Sequence, residues 1–441
     1  MPVVRPFRAL RYDPDVVGDL GRVVAPPYDV IDAAERERLL ARSPYNVVRL
    51  DYPGADDRDS DPNDRYRRAA RLLGEWRGTG AIGRDPRPSI YVYEQQFRRP
   101  GGTALEHRRG FFARVGIEPF GGGILPHERT LPGPREDRYR LLRATNVNTS
   151  PVVSIYRDQT GEVPGILDAV TAQVPLVDVA DMGGERHRMW VLPAGSDGRA
   201  ERLADLAGAA TLTIADGHHR YETALRFQAE RAAGAAAAPD VEAGYNFVLM
   251  LLLEPEAGPL VVLPTHRVVR GIDLDGSPSL ADRLAELFAV RGGLSAHDLI
   301  AAFGPGGSGA PADGGRIGLW TRDGGSILVA DRAAFARLPM DGGAAVRRLD
   351  VSLLGATFES ILGIDAAAIA GGDHVTYTKD AGEAIAMVDG RVDGAAAAFL
   401  LDPTPAADIL AVAADGDVMP QKSTYIYPKA ITGLVINPLE G

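Results

Sequence analysis

At 441 residues, with 45% hydrophobic and 24% charged side chains, the chain has the make-up of an ordinary globular protein large enough for two lobes or one composite domain. A net charge of -11 argues against a nucleic-acid coat or a binder of anionic membranes, and the absence of cysteine excludes disulfides, thiol catalysis, zinc ribbons and iron–sulfur ligation. The N-terminal MPVVRPFRAL lacks a long apolar stretch, and no apolar run approaches about 20 residues, so the expected setting is cytoplasmic, with no nucleic acid and no membrane as partner.

In chain order, VVAPPYDVI reads as a rigid turn, because Pro26 and Pro27 forbid a helix interior. DAAERERLLARS (32–43) and DPNDRYRRAARLLGEWRGTG (61–80) have helical periodicity, the second stopping at Gly78 or Gly80. SIYVYEQQF (89–97) and RRGFFARVGIEPF (108–120) alternate and are rich in aromatic and β-branched residues, which predicts paired strands with PGG as their turn. ILPHERTLPGPREDRYRLLRAT passes from a loop into a helix beginning near Pro134 or Arg135, and SPVVSIY is a further strand. RMWVLPAG and TLTIAD predict strands on either side of the helix RAERLADLAGAA, while YNFVLMLLLEP and LVVLPTHRVV read as buried strands. GPGGSG, within 303–316, matches a dinucleotide-binding pattern only formally, since Pro305 interrupts it and no helix follows, so it is expected to be a surface loop. RRLDVSLLGATFESILGI predicts a helix, and AAAAFLLDP and ADILAVAAD are expected to follow as strands. The element mix implies an α+β (mixed α/β) class. The expected organisation is an N-terminal α/β part over 1–165, a core over 166–300, a Gly/Pro-rich insertion over 301–345 and a C-terminal α/β part over 346–441.

Several short stretches carry chemistry. In ADGHHRYETAL a strand ends at Asp216, which stands where a helix N-cap belongs, and Gly217 allows close backbone approach. His218, His219 and Arg220 then fall in the first helical turn, where free amides and the positive dipole end favour an anion. The alternative is a capped helix with solvated histidines. LPHERT offers His127 beside Glu128, a carboxylate of the kind that serves as a general base, or else an exposed loop acid. DGDVMPQKSTYIYPK resembles a P-loop in spacing, yet Gln421 stands where the second glycine belongs and YIYP forms no helix. Its Lys422, Ser423, Thr424 and Lys429 still suit a phosphate or carboxylate. Thr265, His266 and Arg267 sit at the end of a buried-looking strand, and Tyr28 and Asp29 lie on the rigid turn, so these five and Lys429 are the candidates for substrate contacts. HExxH and G-x-S-x-G are absent.

Taken together, LPHE, IADGHHRYETAL and MPQKST resemble, in that order, the motifs of free L-serine kinases built on a ParB/sulfiredoxin-like fold. VVAPPYDVI, the EDR helix, PTHR and YPK resemble a bacterial and archaeal family long known as a domain of unknown function, over about residues 5–435. The resemblance implies a ParB/sulfiredoxin-like nucleotide-binding core with large additional α/β segments. It implies Glu128 as base for a serine hydroxyl, with His127 beside it, Asp216 near the hydroxyl and a Mg2+ ion, and His218, His219 and Arg220 as the phosphate turn. Lys422, Ser423 and Thr424 match the late loop, although Gln421 and Lys422 follow Pro420 where the kinase pattern has Pro-Lys directly. The expected ligands are ATP or ADP, Mg2+ and a small amino acid, with a homo-oligomer left open. The competing readings are a ParB-like nucleotide-hydrolysing switch and a metal-dependent hydrolase using Asp216, His218 and His219.

Overall fold

The computed structural model describes residues 1–57, 59–130, 132–234, 240–272, 274, 278–304 and 315–440. The GPGGSG stretch lies, but for its first glycine, outside the described residues. The fold is mixed α/β. A nine-stranded sheet runs in the order Ile124–Leu125, Leu212–Asp216, Val152–Ile155, Phe247–Leu253, Leu105–Gly116, Ser89–Arg98, Arg186–Pro193 and Val177–Ala180, with Val4–Arg5 added beside Leu105–Gly116. Two of its pairings are parallel, Leu212–Asp216 with Ile124–Leu125 and Phe247–Leu253 with Val152–Ile155; the rest are antiparallel. Every residue of Phe247–Leu253 is buried, which explains its unbroken apolar run: helices Glu162–Thr171, Arg199–Gly208 and His218–Ala233 cover one face of the sheet, and the other packs in a cluster with Ile426, Ala430, Ile431, Leu434 and Val435 of the C-terminal segment.

A second, antiparallel sheet of six strands is built from His266–Arg270 through Ala395–Leu401. LVVLPTHRVV is therefore not one strand. Val261–Leu263 pairs with Tyr425–Tyr427 in a small ribbon, and His266–Arg270 joins the six-stranded sheet. Pro264 has no amide hydrogen to continue the first ladder, and the chain changes sheets there.

Helices form where the periodicity predicts them. Ala33–Arg42 is capped by Asp32, whose side chain accepts the Glu35 amide at 2.7 Å. Asp64–Gly78 buries Tyr66, Ala69, Leu73 and Trp76, one apolar stripe. The helix after LPHERT begins at Pro132, two residues before the expected start. ADILAVAAD is helix, Ala406–Ala414, where a strand was expected. Ile409, Val412 and Ala413 share one buried face at helical spacing, and alanine, which fills the rest, is the strongest helix former.

The C-terminal segment returns to the first sheet's end of the molecule. Ala25 and Thr432 exchange backbone hydrogen bonds, as do Leu10 and Ile436, and Asn437–Pro438 pairs with Val147–Asn148. This return carries residues 419–429 across the turn that follows strand Leu212–Asp216.

Candidate functional site

Strand Leu212–Asp216 and helix His218–Ala233 meet at Gly217, whose φ of 90° lies in the left-handed region. The ladder to Val152–Ile155 slips between Ile214 and Asp216, and such a bulge re-aims the side chain beyond it. Asp216 is thus the last strand residue rather than the helix cap. Gly217 occupies the cap position, and no side chain caps this N-terminus, so its first amides keep their capacity for an anion.

The Asp216 carboxylate is instead shared by two cations. Arg220 bonds Oδ2 at 2.5 Å, and Lys429 Nζ bonds Oδ1. All three side chains are about nine-tenths buried, at 10%, 12% and 11% exposure for Arg220, Asp216 and Lys429. Burial opposes the charged carboxylate, but the Lys429 ammonium and the Arg220 guanidinium outweigh it and hold the group well below the usual range. One carboxylate against two cations leaves the triad with a net positive charge. Arg220 also donates to the Pro151 carbonyl, while the Lys429 turn is pinned from the large sheet. There Gln95 donates to the Lys429 carbonyl at 2.8 Å, and Arg108 donates to the carbonyls of Tyr427, at 3.0 Å, and Pro428.

The paired histidines part company. His218 is turned inward, and its Nε2 accepts the His127 amide at 3.2 Å with the two rings 4.6 Å apart. His127 donates from Nδ1 to the Ile214 carbonyl, which leaves Nε2 to accept the Thr424 hydroxyl at 2.8 Å. Each ring accepts a hydrogen bond at Nε2, and burial depresses the pKa of both. His219 is only half-buried, faces the cavity and is shifted down by burial as well.

Glu128 reaches the late loop. Its Oε1 accepts the Lys422 amide at 2.9 Å and its Oε2 the Ser423 amide at 3.3 Å, while Arg129 and His127 exchange backbone bonds with Met419. Lys422 adopts a positive φ of 56°, which turns the loop, and its carbonyl accepts Arg267 at 3.0 Å. Each carboxylate oxygen of Glu128 keeps accepting capacity toward the cavity.

These groups surround one cavity of about 330 Å³. It brings together Tyr28 and Asp29 from the N-terminal turn, His127 and Glu128, the whole Asp216–Arg220 turn, Thr265, and Lys422, Thr424 and Lys429. Three expected residues stand outside it. Ser423 is buried and donates its hydroxyl to the Pro420 carbonyl, so it shapes the loop. Arg267 is buried behind the loop it holds, and burial lowers its pKa to about 10. His266 is fully buried, its Nδ1 accepting the Leu401 amide at 3.1 Å, and burial lowers it to about 4. The expectation of substrate contacts at His266 and Arg267 is corrected accordingly: on opposite faces of their strand, His266 is held by the Leu401 amide and Arg267 by the Lys422 carbonyl, and neither lines the cavity. Tyr377, Tyr425 and Lys379 also line the cavity and were not anticipated; Lys379 and Lys429 stand 4.0 Å and 4.6 Å from the Tyr425 ring centre.

A signal for Lys379 does exist in the sequence. Of the 48 basic residues only three are lysines, Lys379, Lys422 and Lys429, and all three line this cavity. Where arginine is the default cation, a compact ammonium at three places marks positions that a guanidinium fork does not suit. The cavity carries five cationic side chains, these lysines with Arg129 and Arg220, against the carboxylates of Asp29, Glu128 and Asp216, although Arg129 is also paired outward with Asp341.

The fold and the site define a mixed α/β protein with a cation-rich cavity lined by residues of both sheets and of the loops between them. The chain belongs to the family described as Protein of unknown function (DUF1015), which matches residues 4–352. No curated protein matches it. Among solved structures it is similar to a free serine kinase in complex with AMP, at 13% identity over 69% of this chain and 83% of that one, with a TM-score of 0.35. It is similar also to a conserved hypothetical protein from Pyrococcus furiosus, at 14% identity over 71% and 92% with a TM-score of 0.33. SbnI with C-terminal truncation, from Staphylococcus aureus, gives 12%, 74% and 87% with a TM-score of 0.35.

Proposed function

We propose that the protein transfers a phosphoryl group from ATP or ADP to the hydroxyl of free L-serine, on a ParB/sulfiredoxin-like core. The observation that carries this reading is the convergence of every lysine of the chain, with Arg220 and an uncapped helix N-terminus, on one cavity that also holds Glu128. Phosphoryl transfer asks little covalent chemistry of a protein. It asks for cations and amides about the transferred group and a carboxylate beside the attacking hydroxyl. In this reading the amides of the Gly217–Arg220 turn and the ammonium groups of Lys379 and Lys422 take the phosphates. Glu128 accepts the serine hydroxyl proton as the new oxygen–phosphorus bond forms and the nucleotide leaves with the bond it gives up. His127 holds Thr424 and the Glu128 loop rather than moving a proton, since both its ring nitrogens are engaged.

Asp216 does not fit the role of magnesium ligand, because both its oxygens are bound by cations. Asp29 and Glu128 fit better. They are cavity carboxylates with accepting capacity left, the kind of hard oxygen donor with which Mg2+ completes a shell of phosphate and water. When bound, the ion would neutralise phosphate charge. The same pairing of Asp216 with two cations, with the inward turn of His218, counts against a hydrolase using Asp216, His218 and His219 as metal ligands.

The test is to incubate the protein with Mg2+, ATP or ADP, and an amino-acid panel, and to follow phosphorus NMR. O-phosphoserine is the expected product. Glu128→Gln should lower its rate by about 10²–10⁴-fold. Because glutamine loses one acceptor contact to the loop, circular dichroism and nucleotide binding should be measured beside it. An unchanged rate in Glu128→Gln sinks the assignment of the base; no phosphorylated product with any amino acid sinks the kinase.

A further inference from the structure

The edge hairpin of the large sheet, Val177–Ala180 and Arg186–Pro193, carries a second group of chemistry-bearing side chains, and none of them lines the cavity. Glu185 and His187 stand two residues apart on an extended chain and so face the same side. The turn brings Asp181 opposite them, with its amide donating to the Glu185 carbonyl at 3.0 Å. One ligand atom from each of Asp181, Glu185 and His187 lies within 4.8 Å of the others.

His187 supplies an independent observation. It is 1% exposed, stacked on Tyr93 at 6.0 Å, with Nδ1 2.7 Å from the Tyr93 hydroxyl. Its Nε2 is buried and makes no hydrogen bond of ordinary geometry, the Asp181 carboxylate standing as its ionic partner with Oδ2 at 3.4 Å. A buried imidazole nitrogen left in this way is costly unless something binds it. Zinc-type bonds to nitrogen and oxygen of roughly 2.0–2.2 Å, at tetrahedral angles, separate two ligand atoms by roughly 3.4 Å. The Asp181–His187 pair already stands at that distance.

We propose that Asp181, Glu185 and His187 bind a divalent transition cation of the zinc class, with water as the fourth ligand. Nδ1–H donated to Tyr93 leaves the Nε2 lone pair for the metal, the arrangement that orients metal-bound histidines. The imidazole argues against Mg2+ or Ca2+, which take oxygen. Glu185 also stands beside the Tyr427 hydroxyl, so the ion ties the hairpin to the strand that leads to Lys429.

The experiment uses the full chain, stripped with a chelator and titrated with Zn2+ against a chromophoric competitor. One equivalent should bind. Asp181→Asn and Glu185→Gln, which keep shape and the hairpin's acceptors, should each weaken it by more than the roughly 10–100-fold that loss of an outer hydrogen-bond partner costs. Far-UV circular dichroism should stay unchanged in both. No bound equivalent in the unmodified chain, or an equivalent of unchanged affinity in either variant, overturns the proposal.

Discussion

Asp216 shows how a residue's surroundings redefine it. In the sequence it stands between strand and helix, where a capping aspartate is common, and its neighbours along the chain are histidines. In the folded chain it balances two buried cations, one four residues on and one 213 residues away. Asp216→Asn leaves Arg220 and Lys429 buried with no shared anion. Breaking a buried pair in this way costs roughly 3–5 kcal/mol, so urea unfolding at pH 7 should show a loss of that order. His266 makes a prediction about pH. Burial, then the nearby Arg267 charge, lowers its pKa from 6.5 to about 4, so between those values the unfolded chain binds a proton that the folded chain refuses. Stability therefore is full above pH 6.5 and falls as the pH drops toward 4, by about 3 kcal/mol from this group. His266→Gln keeps an acceptor for the Leu401 amide, and its unfolding free energy should fall by about that much less over the same interval.

At the scale of elements, the strand–turn–helix around Gly217 was legible because each part has a local cause. TLTIA is β-branched and apolar, the glycine permits the left-handed turn, and the helix formers end at Gly234. Gly217→Ala tests the turn. Its Cβ would adopt a strained φ and stand 2.9–3.1 Å from the Arg220 guanidinium. The variant should lose roughly 1–3 kcal/mol in chemical denaturation. ADILAVAAD was misread because its short apolar run suits a buried strand as well as a buried helix face, and alanine contributes to either pattern. The split of LVVLPTHRVV at Pro264 had a local sign, but which sheet each half joins depends on partners more than 100 residues distant.

For the whole molecule, the C-terminal return matters most. Residues 419–440 carry two of the three lysines, and they bury Ile431, Leu434, Val435 and Ile436 against elements from the first third of the chain. A chain ending at Asp417 should therefore lose more than the site. Its thermal unfolding followed by circular dichroism should lack a cooperative transition, since the apolar faces under the return lose their cover. A sharp transition near that of the full chain would show the return to be dispensable for folding.

The sequence by itself determined the elements with strong periodicity, the three motif loops, and the chemical types that gather at the site. Composition, capping and turn residues act locally, so they can be read one stretch at a time. Only the tertiary structure decided that Asp216 faces Lys429, that His218 turns inward while His219 faces the cavity, and that His266, Arg267 and Ser423 stand behind the site's wall. Only it added Tyr377 and Lys379 from the edge of the second sheet and Tyr425 from the small ribbon. Those outcomes depend on strand order, on a bulge and on a long return of the chain, and contacts between residues hundreds of positions apart leave no local pattern.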